Sequence, residues 1–160
     1  MTKYGQLTIL SIALLAFLFT GKVAISEDFK VGDIFVCESS AGLPPVYAFI
    51  GKVDTADELN QSGSTLTEPV IGAQLFTQDE NRFPVVGHSP FSIGSFANCE
   101  AVAATDLHAD QNRFSEGYAV WRTAFDNSEA GVWDLDIAEA YWAILGAITE
   151  LPVPNFGDIK

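Results

Sequence analysis

Basic residues are scarce in this chain: 8 Lys and Arg stand against 21 Asp and Glu over 160 residues, a formal net charge of −13. A nucleic acid needs a basic footprint to displace the counterions of its phosphates, and docking on an anionic lipid surface needs the same. The composition argues against both partners. It leaves room for a cationic partner or a divalent cation, and equally for plain solubility. Histidine is rarer still, with His88 and His108 alone, so any imidazole chemistry rests on one of these two. The 2 cysteines, Cys37 and Cys99, are too few for a four-thiolate zinc site. In an oxidising compartment such a pair favours one disulfide; the alternative is two buried free thiols. The sequence also lacks internal repeats, low-complexity tracts and a Gly-x-Ser-x-Gly nucleophile elbow.

What is present suits one packed domain. Hydrophobic residues make up 48% of the chain and charged residues 18%, enough apolar surface for a core. The first segment stands apart. Lys3 precedes an apolar run over residues 7–19, broken only by Thr8 and Ser11, and Ala24-Ile25-Ser26 offers small residues for cleavage before Glu27. This predicts a signal peptide over residues 1–26 and a domain over 27–160. The rival is a retained membrane anchor, since residues 4–21 carry no charge. Cleavage would leave 6 Lys and Arg against 21 Asp and Glu, a balance of −15.

Residues 110–152 carry the strongest local pattern. Phe114, Tyr118, Trp121 and Phe125 recur at helical spacing along one face, Asp110 suits the N-cap, and Asp126-Asn127-Ser128 suits the end. Residues 132–135 read as a short strand. A second helix opens on Asp136, with Glu139 at capping-box spacing, and is stopped by Pro152. Its apolar stripe is Ile137, Ala140, Tyr141, Ile144, Leu145 and Ile148.

Upstream, strands are expected at residues 33–38, 46–53, 69–77, 83–88 and 99–105. The second is apolar on both faces and so central, and Pro84 makes the fourth an edge. Residues 54–68 read as an exposed, mobile loop. Residues 90–97 read as a helical turn or a loop. Strands first and helices last give an α+β fold. Its predicted form is an antiparallel sheet of about four or five strands with two C-terminal amphipathic helices packed on one face.

The pattern Gly117-Tyr118-x-x-Trp121-Arg122-x-Ala124-Phe125, followed by Glu129-Ala130-Gly131-Val132-Trp133 and Ala138-Glu139-Ala140, resembles small secreted proteobacterial proteins of unassigned activity. Val86-Gly87-His88-Ser89-Pro90-Phe91 adds a looser likeness. The resemblance implies a shared fold and a periplasmic setting, and it transfers no functional residue.

Candidate sites are few. Asp106, His108 and Asp110 alternate with apolar residues, so an extended chain would put all three on one face, where they could bind a divalent metal. The competing reading is a polar connection with Asp110 as a helix cap. His88 beside Ser89 raises a triad, or a small envelope hydrolase built on His88 or His108 with carboxylates. Glu38, Glu100, Glu116 and Glu129 are scattered, and residues 126–129 lack the glycine and distal glutamate of a calcium loop. Trp142 falls off the main stripe of the second helix and Trp133 alternates with Val132 on the short strand, which makes both candidate binding aromatics. The reading that results is a secreted or periplasmic interaction module for a cationic protein or cell-envelope partner. It uses no cofactor, has no evident catalytic site, and meets membrane only if the first segment is kept. Intact-mass measurement on the host's envelope fraction should give a chain starting at Glu27 and two protons light until reduced. A full-length mass in the membrane fraction would instead identify an anchor.

Overall fold

The computed structural model describes residues 29–39, 42–60, 63, 65–79, 82–103, 107 and 109–149. The expected signal segment, Asp106, His108 and Pro152 lie outside them. The chain has five strands: β1 (Ile34–Cys37), β2 (Val46–Asp54), β3 (Val70–Phe76), β4 (Val86–Phe91) and β5 (Cys99–Val102). They pair antiparallel in the order β4-β3-β2-β1-β5. Helices α1 (Ala56–Asn60), α2 (Gln111–Asp126) and α3 (Ile137–Ile148) and a 3₁₀ turn (Ile93–Phe96) complete an α+β fold. Among the described residues no helix is long and apolar enough to cross a membrane.

The class, the sheet and the two long C-terminal helices are as the sequence predicts. The helices, however, divide between the two faces of the sheet. Val46, Ala48 and Ile50 of β2 and Ile71, Ala73 and Leu75 of β3 pack with Ile137, Ala140, Tyr141 and Leu145 of α3. The alternate positions Gly51, Gly72 and Gln74 meet Phe114, His88 and the backbone at the start of α2. The physical reason lies in β2 and β3, whose side chains are apolar on both sides, so each face needs a cover. Each large aliphatic or aromatic side chain buried there stabilises the fold by roughly 1.5–3 kcal/mol.

The segment between the two helices carries the chain around the β4 edge. The strand expected at 132–135 reduces to one parallel bridge, Phe91 with Trp133. Trp133 N donates to Pro90 O, and Ser92 N to Trp133 O, each at 2.9 Å. Pro90 has no N–H to offer its neighbours, which an edge strand tolerates. The fourth strand also starts later than expected, at Val86, because the carbonyl of Pro84 accepts a bond from the Tyr141 hydroxyl at 3.0 Å. Residues 54–68 are not one exposed loop. Thr55 and Glu58 form a reciprocal capping box, with Thr55 N on Glu58 Oε2 at 2.9 Å and Glu58 N on Thr55 Oγ1 at 3.3 Å. The short helix α1 that results buries Leu59 completely.

Both long helices are capped as their sequences suggest. Asp110 Oδ1 accepts from Arg113 N at 3.0 Å, and Asp136 Oδ1 from Ala138 N at 2.9 Å. The start of α2 is also tied to the sheet. The buried Gln74 amide donates to Asp110 O at 2.9 Å and accepts from Asp110 N at 2.8 Å. The 3₁₀ turn is linked to α3 through Asn98 Nδ2, which donates to Asp136 Oδ2 at 2.9 Å. Ile148, expected in the apolar stripe of α3, is exposed in the last turn.

Cys37 and Cys99 form a disulfide across directly paired positions of β1 and β5. With a sequence separation of 62 between them, loop closure contributes about 4 kcal/mol in the chain-entropy model.

Glycine sets the height of α2 above the sheet. A Cβ on Gly117 would lie 2.8 Å from His88 Cβ, and one on Gly87 would lie 2.8 Å from the Arg113 carbonyl oxygen. Gly117→Ala should therefore destabilise the protein by about 1–3 kcal/mol through overpacking, although alanine is the better helix former by about 1 kcal/mol. Urea unfolding of the two proteins measures this directly, and equal or higher stability of the variant would show that α2 is not held so close.

Candidate functional site

Of the metal trio, Asp106 and His108 lie outside the described residues. Asp110 acts as the α2 cap, with its second carboxylate oxygen 3.9 Å from Arg113 Nε. His88 and Ser89 are successive residues of a strand and point to opposite faces, so they cannot act on one another. Trp142 is buried, edge-on to Phe83 at 4.9 Å, and does not face solvent. Trp133 is 37% exposed and Leu135 45%.

His88 sits in a box of rings beneath α2. Its ring centroid is 5.3 Å from Phe114, 5.4 Å from Tyr118 and 5.3 Å from Trp121. The floor is Gly72, where a Cβ would come within 3.0 Å of His88 Nε2. Nε2 is buried without a hydrogen-bond partner among the described residues. Burial pushes the imidazole down to about 4, so it is neutral at physiological pH. Among the described residues no carboxylate bonds to His88 to orient it. The arrangement packs the ring and does not activate it.

Beside this box lies Asp54, 2% exposed at the end of β2. Its Oδ1 accepts from the Tyr118 hydroxyl at 2.8 Å, and Lys52 Nζ is 3.8 Å away. Burial, then the bond to Asp54, pushes the Tyr118 phenol up to about 12, so it stays a donor. Arg122 closes the group on the outside, donating to Glu58 O at 3.3 Å and pairing with Asp126 at 3.1 Å. The helix pattern Gly117, Tyr118, Trp121 and Arg122 thus serves the contact between α2 and the sheet. Trp121 Nε1 extends it by donating to Gly131 O at 3.0 Å.

An open cleft of about 280 Å³ lies at the β4 edge, between residues 66–70 and residues 132–134. Leu66, Pro69, Val70 and Val132 supply apolar wall, and Glu68 and Asp134 supply carboxylates. Ser92 Oγ donates to Asp134 Oδ1 at 2.7 Å and holds it in place. Neither Glu68 nor Asp134 is ion-paired among the described residues. The sequence gives no sign of this cleft, because its two walls are more than 60 residues apart. The chain matches no family model, no curated protein and no solved structure.

The His88 box makes stability depend on pH. Above pH 6.5 the imidazole is neutral in the folded and unfolded chain alike. As pH falls from 6.5 toward 4 the unfolded chain takes up the proton and the folded chain does not, so stability is lost through this window and levels off below it. The full loss is about 3 kcal/mol. His88→Phe keeps the ring and removes the titration. Unfolding midpoints compared between pH 7 and pH 4 should fall less in the variant by that amount, whereas parallel profiles would place His88 in contact with solvent.

Proposed function

We propose that this protein is a secreted or periplasmic binding module, of the small proteobacterial kind its C-terminal pattern resembles, which takes a cationic segment of a partner into the β4-edge cleft. The observation that carries this reading is the pairing of apolar wall with two carboxylates that have no cation partner among the described residues. A lysine or arginine side chain has the matching form, an aliphatic stem below a charged head. The acidic balance of the whole chain would speed the encounter with such a partner. Trp133 and Leu135, exposed on the same edge segment, extend the surface with apolar area of the type that anchors interfaces. The disulfide supports an oxidising compartment, since such bonds persist there.

A peptide alternating Lys with Leu, titrated against the protein at low salt, should bind and should weaken as salt rises. The double variant Glu68→Gln, Asp134→Asn should lose about tenfold in affinity, equivalent to about 1.4 kcal/mol. Equal binding of a Glu-Leu peptide, or an unchanged double variant, would refute the proposed site.

A further inference from the structure

A second cavity lies at the other end of β3. It holds about 200 Å³ between Pro44 and Pro45 on one side and residues 77–79, Arg82 and Phe83 on the other. We infer that it binds a small zwitterion of the free α-amino acid class, with the carboxylate at Arg82, the ammonium at Asp79 and the side chain against Pro44, Pro45 and Phe83.

Three observations carry this. First, Asp79 and Arg82 line the same cavity but do not form an ion pair, and neither pairs with another charge among the described residues. They are held apart. Asp79 Oδ1 accepts from the Arg82 backbone N–H at 3.3 Å, which fixes the carboxylate. The Arg82 guanidinium lies over the Phe83 ring, 5.0 Å from its centroid, which fixes the cation. Second, Thr77 lines the cavity and is 2% exposed, yet its hydroxyl has no hydrogen-bond partner among the described residues. A buried hydroxyl is costly to leave unpaired, and a ligand's polar group at this site would satisfy it. Third, the wall is apolar and rigid. Two consecutive prolines form one side, and Phe83 is locked edge-on against buried Trp142. The volume lies below the roughly 300–1,000 Å³ of sites for drug-sized ligands, which suits a molecule of amino-acid size.

The inference is independent of the β4-edge cleft, since it uses none of the same residues. Its test is an amide-resolved NMR titration of the disulfide-bonded protein with valine, leucine and proline. Leucinamide, which lacks the carboxylate, and 4-methylpentanoate, which lacks the ammonium, serve as controls. At least one amino acid should shift the amides of Thr77, Arg82 and Phe83 in a saturable way. The matching single-charge controls should bind about tenfold more weakly or worse. Arg82→Gln and Asp79→Asn should each reduce binding by a similar factor, and Asn at 79 keeps the oxygen that accepts from Arg82 N. Thr77→Val should raise the melting temperature of the unliganded protein while weakening the ligand. No shift from any of the three amino acids at about 20 mM, well past the weak millimolar range, would overturn the assignment. So would controls that bind as well as the amino acid.

Discussion

At the middle of α2 the helix backbone rests almost directly on β4. Gly117 faces His88 with no room for a methyl group between them, and Gly87 meets the Arg113 carbonyl in the same way. Much of this face of the protein depends on that distance. With the helix this low, the rings of Phe114, Tyr118 and Trp121 reach the sheet and close around His88. The Phe114 ring takes the space above Gly51, where a side chain would collide with it. The Tyr118 hydroxyl reaches Asp54, and the Gln74 amide reaches both backbone groups of Asp110. A glycine in mid-helix costs about 1 kcal/mol in helix propensity, and here the cost is offset by contacts that only a close helix can make.

The opposite face is built differently. There α3 lies on aliphatic side chains of β2 and β3 and is hydrophobic almost all round, with Ile137, Ala138, Ala140, Tyr141, Trp142 and Leu145 buried. The two faces share the same strands, so the sheet is a fully covered middle layer across β2 and β3. The edges are where backbone and side chains remain available. Trp133 pairs with the β4 edge at one point and leaves a cleft beside it, and β5 is short and mostly exposed on the other edge. The surface proposed for binding lies accordingly at the rim of the sheet, where neither helix covers the strands.

The parts legible in the sequence were those with local causes. The spacing of Phe114, Tyr118, Trp121 and Phe125 and the caps at Asp110 and Asp136 act within a few residues, and the helices follow them. The apolar strand at β2 was legible for the same reason. Which face each helix takes was not, because an apolar stripe says that a cover is needed and not where the chain will travel. The decisive element, the single bridge at Trp133, pairs residues 42 apart. Helix α1 was legible in principle: Thr55-x-x-Glu58 is a capping box, but the polar residues around it resemble a loop. The burial of Trp142 was not, since its partner Phe83 lies far off in sequence, ahead of β4. The β4-edge cleft joins walls distant in sequence and has no local signature at all.

The bond between Cys37 and Cys99 closes residues 37–99 into a covalent ring, and that ring contains β2, α1, β3, β4 and the 3₁₀ turn. Three of the five strands therefore belong to a loop with no free end. A protease that cuts the backbone at one point between residues 38 and 98 opens the ring without releasing a fragment. The nicked protein remains one molecule, and its strands can re-pair as an intramolecular process. In an environment rich in proteases, the outermost strand thus acts as a clasp for the centre of the sheet.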